Sequence, residues 1–243
     1  MIRIDINADL GEGAGMDDRL MPLVSSCNIA CGGHFGNIDS MKQTIDLAQA
    51  HGVRIGAHPS FPDRDGFGRR VITMTKSELK ASLMDQLEGF YQICAQKDAE
   101  VHHVKLHGAL YNYAAKDAPT SDAVVEAIID SGKRPKLYVP YGSILHKKAE
   151  NLLPLVFEAF IDRRYRKNGS LVSRDENNAV ISDPEAAWEQ LYRMVTQKTV
   201  IAVNGEEIGI EATTYCIHGD HPESLPILEY IHRQCKQNEI TLV

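Results

Sequence analysis

The chain is 243 residues long and sets 26 Lys+Arg against 33 Asp+Glu, a formal net charge of −7. Its 43% hydrophobic and 24% charged residues are those of an ordinary globular enzyme, which excludes disorder over most of its length; the acidic balance lacks the clustered Lys and Arg that a nucleic-acid surface needs. No apolar run approaches the roughly 18 residues of a membrane span, and the start, residues 1–7, alternates like a strand without the apolar core of a signal peptide.

In chain order, residues 2–7 predict a strand with Ile2, Ile4 and Ile6 on one face, and 26–31 a weaker one. A helix is expected from Asp39 to His51, stopped by Gly52, then a strand over 53–57. Thr75 and Glu78 form a capping box for a helix whose stripe is Leu79, Leu83, Leu87, Phe90 and Cys94. Strand 101–106, helix 121–131, strand 136–139, a short helix near 143–151 and strand 154–160 follow. Asp183-Pro184 is an N-cap followed by proline in the first helical position, and that helix carries Trp188. Residues 199–203 and 207–211 flank Asn204-Gly205, a hairpin signal that reads as an insertion. Strand 213–217, helix 222–238 and a short strand 240–243 close the chain. Strands alternating with helices mark a parallel α/β fold, with seven strands in the repeating set and one domain over 1–243.

The reactive residues gather at the carboxyl ends of these strands. Asn7, Asp9 and Glu12 follow the first, His34 the second, His58 the third, Lys105 and His107 the fourth, and Tyr141 the fifth. Glu158, Asp162 and Arg163 belong to the sixth, His218 and Asp220 to the seventh. α/β barrels build their sites from the loops at that face. Strand-to-helix loops favour Asp and Asn as caps in any case, which accounts for a lone Asp9 or Asp39 but not for four histidines in four loops. His102 and His103 are neighbours on a strand and point to opposite faces, so at least one is a packing or surface residue. Of the adjacent Arg69 and Arg70, one is expected to hold an anion in forked geometry and the other to be a solvated charge.

Several familiar motifs fail. Gly11-Glu-Gly-Ala-Gly15 lacks the glycine a dinucleotide loop needs at Met16, and Ser131-Gly132-Lys133 lacks the upstream glycine of a phosphate loop, at Ala127. The isolated chain is therefore not expected to bind ATP tightly. Cys27 and Cys31 read as small buried thiols rather than a metal pair, and all five cysteines (with Cys94, Cys216 and Cys235) as reduced, which places the protein in the cytoplasm. Asp9, His34 and His58 offer an Asp-His-His set for a divalent metal, the basis of a metal-dependent amide or carbohydrate deacetylase; a non-catalytic substrate-binding barrel is the other alternative.

Asp5-Ile-Asn-Ala-Asp-Leu-Gly-Glu12, Asn28-Ile-Ala-Cys-Gly-Gly-His34, Gly56-Ala-His-Pro-Ser60, Gly66-Phe-Gly-Arg69, Val104-Lys-Leu-His-Gly-Ala-Leu-Tyr-Asn112, Glu158-Ala-Phe-Ile-Asp162 with Arg163 and Tyr165, and Ile217-His-Gly-Asp220 run in order through nearly the whole chain. Together they make it similar to the LamB/YcsF family. Ala8 departs from the pattern where Cys is common, and Gly33, Phe35, Asn37 and Ser173 where Phe, Ala, Asp and Pro are expected. The resemblance implies a distorted seven-stranded (β/α) barrel, TIM-barrel-like and related to glycoside hydrolase and deacetylase barrels. It implies hydrolysis of a cyclic amide, 5-oxo-L-proline to L-glutamate, coupled to ATP handled with two further subunits (B and C type); self-association stays open. On this view Asp9, His34, His58, Lys105 and His107 are catalytic, while Glu12, Asn28, Arg69, Glu158, Asp162, Arg163, His218 and Asp220 bind substrate. Lys105 would place charge near the oxyanion, or else only form a salt bridge to Glu158 or Asp162; His107 would share its face if the strand ran on.

Overall fold

β-branched segments that bury both faces pair best with like neighbours in a parallel sheet, which helices must then cover. The computed structural model, which describes residues 2–243, closes such a sheet on itself. β1 (Ile2–Leu10), β2 (Ser26–Ala30), β3 (Arg54–His58), β4 (Val101–Lys105), β5 (Lys136–Val139) and β6 (Leu155–Phe160) lie in sequence order. The hairpin of β7 (Thr199–Ile201) and β8 (Glu207–Gly209) stands outside the barrel. β9 (Thr214–His218) pairs with both β6 and β1 and closes a parallel ring of seven strands. β10 (Ile240–Leu242) adds to the start of β1, with Ile2 opposite Ile240.

The helices follow from local chemistry. In α2 (Ile38–His51) Asn37 accepts from the N–H groups of Asp39 and Ser40, and Ser40 returns the bond. Asn37, where an Asp was expected, is thus a helix cap, and the exposed Asp39 lies in the first turn of that helix. Thr75 and Glu78 cap α3 (Lys76–Gln96) as the sequence indicates, and Asp183 caps α7 (Pro184–Gln197) through Ala186. Asp117 starts α5 (Ala118–Asp130) a few residues earlier than expected, α6 (Ile144–Ala149) is short, and α8 (Ser224–Gln237) completes the layer. Two helical turns escaped the sequence pattern, α1 (Asp17–Leu20) and α4 (Gly108–Ala114), because neither has a side-chain cap nor the length to show a periodic stripe. No helix among the described residues is long and apolar enough to cross a membrane.

The two faces of the strands divide the molecule. Ile4, Ile6, Ala8 and Leu10 join the hydrophobic core outside the ring. Asp5, Asn7 and Asp9, alternating with them, point into the lumen and bond there across the barrel. Asp5 accepts from Ser26 and Thr214. Asn7 donates to Glu158 at 3.0 Å and Thr214 at 2.8 Å. Asn28 donates to Asn7 and Asp9 at 2.7 and 2.8 Å and accepts from His103 at 2.7 Å. Where apolar side chains commonly fill a TIM barrel, this lumen is a stack of paired polar groups.

β1 runs on to Leu10, three residues further than expected, held by its register with β2 and β9. Asn7 and Asp9 are therefore strand residues facing inward, not loop residues. β4 stops at Lys105, so His107 does not continue that strand; it is the residue before α4.

His103 needs room in the lumen, and Gly56 opposite it on β3 provides it: a Cβ there would land inside the imidazole. Gly56→Ala is therefore expected to destabilise the fold by about 1–3 kcal/mol through overpacking. Gly89→Ala, on α3 with open space around its Cβ, should stabilise it by roughly 0.5–1 kcal/mol. Urea midpoints of the two variants moving in the same direction would refute this account of the lumen.

Candidate active site

Lys105 ends β4 with its ammonium buried, at 1% exposure. Its Nζ lies 2.8 Å from Asp9 Oδ1, 3.1 Å from Glu158 Oε1, 3.2 Å from Asn7 Oδ1 and 2.8 Å from Cys216 Sγ. Four acceptors surround three N–H donors. Burial works to discharge the lysine, but Asp9 and the other acceptors raise it well above its usual range. Asp9 stays ionised despite burial because His58 and Lys105 flank it. Glu158 is pushed up by burial, against the pull of Lys105. The pairing of Lys105 with Glu158, expected as its structural role, is thus present, with Asp9 as the closer partner; Asp162 is not among its partners.

Beside this pair three imidazoles converge. His58 Nδ1 donates to the Lys105 carbonyl at 2.8 Å, and its Nε2 lies 3.0 Å from His107 Nδ1 and 3.4 Å from Asp9 Oδ2. His107 Nε2 donates to the Phe67 carbonyl at 2.9 Å. His34 stacks on His107 at 3.7 Å and meets Glu12 Oε1 at 2.9 Å, while its Nδ1 is buried without a partner. Despite burial, the imidazoles of His107 and His34 beside it keep Glu12 well below the usual carboxylate range. The loop from Pro59 to Thr75 holds these rings. Gly68 (φ +64°) touches His34 and His107 where a side chain would intrude, and Phe67 adopts φ +53°, a conformation bulky residues rarely take. The compact His/carboxylate groups are Asp9–His58–His107 and Glu12–His34–His107; Asp9, His34 and His58 do not form one.

Across the floor His218 Nδ1 lies 2.8 Å from Asp162 Oδ2, which also accepts the His218 backbone N–H at 3.1 Å. Against burial, these contacts hold Asp162 down to about 2, while burial lowers His218. A cavity of about 520 Å³ opens above, with Asp9, Glu12, Lys105, His107 and His218 in its lining. Arg163 reaches the same cavity at 5% exposure; it donates to the Val172 carbonyl, but its Nε has no partner and no carboxylate pairs with it among the described residues. Burial pushes it down to about 10, so it remains charged. Arg69 also lines the cavity and is paired with Asp220. Arg70 turns away to Asp63.

Not every candidate faces the cavity. Asn28 and Glu158 lie beneath its floor, holding Asp9, Asn7 and Lys105. His34 and His58 stand behind Glu12 and His107, and Asp162 behind His218. Tyr141 is exposed on the outer surface, against Phe157 and His146. The cavity wall also uses Lys116, Arg166 and Arg174, which carried no sequence signal. The last two sit in residues 161–183, folded over the barrel by bridges such as Arg163 with Val180. Cys27 and Cys31 are buried free thiols outside both compact groups.

The LamB/YcsF family model matches residues 4–243. The chain belongs to the LamB/YcsF family. Proteins named as the A subunit of 5-oxoprolinase are among its relatives: that of Limosilactobacillus fermentum is 42% identical over 100% of this chain and 99% of its own. That of Halalkalibacterium halodurans is 43% identical over 100% and 96%. A solved structure, a lactam utilization protein from Thermus thermophilus, superposes with a TM-score of 0.92 at 36% identity, over 99% of each chain. The closed seven-stranded barrel implied by the family resemblance is the fold observed here.

The buried imidazoles set an acid limit on the fold. Burial holds His34 and His102 down to about 4 and His103 well below its usual value. The unfolded chain takes up protons on them near pH 6.5, so their stabilisation is present above that pH and lost as it falls toward 4. His58, raised by Asp9 against its burial, has the opposite sign and is outnumbered. The urea midpoint should therefore drop between pH 7 and 4.5 in titrations at fixed ionic strength. A constant or rising midpoint would mean that these rings are charged in the folded state.

Proposed function

We propose that this chain supplies the ring-opening site of an ATP-dependent 5-oxoprolinase and works with two further subunits. The observation that carries it is Arg163, a desolvated cation without a carboxylate partner, facing the same cavity as the Asp9–Lys105 pair and two histidines. 5-Oxo-L-proline is a small lactam bearing one carboxylate, and a buried guanidinium is the natural anchor for that group. The names of the relatives, a lactam utilization protein among them, support the substrate, and their designation as one lettered subunit supports an assembly.

Opening the ring needs a base for the attacking water, positive charge near the carbonyl oxygen and a proton for the leaving nitrogen. His218 suits the first role: Asp162 orients its Nδ1, and burial keeps the ring neutral and able to accept a proton. Lys105 has its hydrogens engaged, so it acts through its field and by holding Asp9 rather than by direct donation. The proton that His218 takes from the water is then available to the leaving nitrogen, one imidazole serving first as base and then as acid. The lactam is an unactivated amide. ATP bound by the partner subunits would activate it by transferring a phosphoryl group to its oxygen with release of ADP. Addition of water and departure of the ring nitrogen then leave an acyl phosphate, which a second water hydrolyses to glutamate and phosphate. The sequence has no phosphate-binding loop of its own for the ATP. Five free thiols fit a reducing compartment, the cytoplasm.

The test is glutamate formation from 5-oxoproline and ATP by the reconstituted three-subunit system. Arg163→Gln is expected to raise KM for 5-oxoproline at least roughly tenfold with a smaller change in kcat, as loss of binding made equally in both states requires. Lys105→Met should lower turnover by roughly 10²-fold or more, as for removal of a charge-stabilising group. Turnover near wild type in Lys105→Met, with earlier melting alone, would make Lys105 purely structural. An unchanged KM in a folded Arg163→Gln protein would remove the carboxylate anchor.

A further inference from the structure

His58 and His107 point lone pair at lone pair. Each ring gives its outer N–H to a main-chain carbonyl, His58 Nδ1 to Lys105 and His107 Nε2 to Phe67. A neutral imidazole has only one N–H. When both rings are neutral, the inner nitrogens, His58 Nε2 and His107 Nδ1, therefore both lack a proton, yet they lie 3.0 Å apart. Two carboxylate oxygens close on the same spot. Asp9 Oδ2 is 3.4 Å from His58 Nε2, and Glu12 Oε1 is 3.2 Å from His107 Nδ1 and 3.7 Å from His58 Nε2. All four residues are buried. Lys105 does not neutralise this cluster at short range, because its ammonium sits on the other oxygen of Asp9.

Three electron-rich atoms within 4.8 Å of one another, on Asp9, His58 and His107, call for a cation. A single proton would satisfy one of these contacts and leave the others repulsive. Bonds of about 2.0–2.1 Å from a tetrahedral ion place its ligand atoms roughly 3.4 Å from one another, close to the 3.0 and 3.4 Å that separate His58 Nε2 from His107 Nδ1 and from Asp9 Oδ2. Anchoring the far ring nitrogen to a carbonyl is also how metal-bound imidazoles are oriented. We infer that this chain binds one divalent transition-metal ion through Asp9 Oδ2, His58 Nε2 and His107 Nδ1, with Glu12, steadied by His34, beside it. Two imidazoles with a carboxylate favour zinc, cobalt, nickel or iron over magnesium or calcium. Asp9, Glu12 and His107 also line the cavity, so the ion would face whatever occupies it. The inference stands whether or not that occupant is a lactam.

The test reads metal directly, without substrate. Chelator-stripped full-length chain is titrated with zinc chloride by calorimetry and with cobalt(II) chloride by visible absorption, and the metal content of untreated protein is measured. One equivalent of zinc with micromolar or tighter affinity is expected, together with intense cobalt bands of a low-coordinate nitrogen/oxygen site that zinc bleaches. His58→Ala and His107→Ala, checked for folding by circular dichroism, should weaken zinc binding by more than roughly 100-fold, beyond what loss of an outer partner costs. His102→Ala should leave it unchanged. Failure of the wild-type chain to bind zinc or cobalt stoichiometrically overturns the inference, whatever the variants do. So does binding that survives in folded His58→Ala and His107→Ala proteins.

Discussion

A lysine ammonium shut inside a barrel must be matched on every side, and Lys105 imposes that condition on its surroundings. Desolvating such a charge costs several kcal/mol, and an ion pair offsets this only when the geometry is good and the remaining hydrogens are bonded. Asp9, Glu158, Asn7 and Cys216 meet the requirement from three other strands. Each then needs partners of its own. Asn28 holds Asn7 and Asp9, His103 binds Asn28, and Gly56 makes space for His103. The polar stack continues down to Asp5, Ser26 and Thr214, toward the amino ends of the strands. The lumen thus spends little of its area on hydrophobic burial, and the apolar core lies between the ring and the helices.

That division positions the chemistry. Charges mounted on barrel strands are fixed by cross-lumen bonds rather than by loops, which favours a preorganised floor. The loops supply what differs in kind. The segment from Pro59 to Thr75 clamps His34 and His107 through Gly68 and the Phe67 carbonyl, and residues 161–183 bring Arg163 and Arg174 over the cavity. The floor is rich in negative charge and imidazole, the wall in guanidinium. An anionic small molecule that must present a polar group to the floor fits this polarity.

The two histidine arrangements differ physically. His218 has one carboxylate, Asp162, at its Nδ1, an arrangement that orients a base. His58 and His107 have carbonyls behind them and each other in front, an arrangement that orients ligands. Burial is common to both; what each ring is bonded to decides what it can do.

Much of this was legible in the sequence. Alternation and caps located all seven barrel strands and the main helices, because Thr75, Asp183 and the β-branched runs act over a few residues only. Reactive side chains at strand ends pointed to the end of the barrel where the cavity opens, and ordered short motifs marked the family. Periodicity, however, separates two faces of a strand without saying which is inside. Only closure of β9 onto β1 put Asp5, Asn7 and Asp9 in the lumen and Ile4 and Ile6 outside it. It also showed that His107 rather than His34 joins Asp9 and His58, that Asn28 and Glu158 support the floor from below, and that Arg163 rather than Arg69 lacks a carboxylate partner. These are relations between residues up to 209 positions apart. No local pattern encodes them, because they depend on which strand ends the closed barrel brings within a few ångströms.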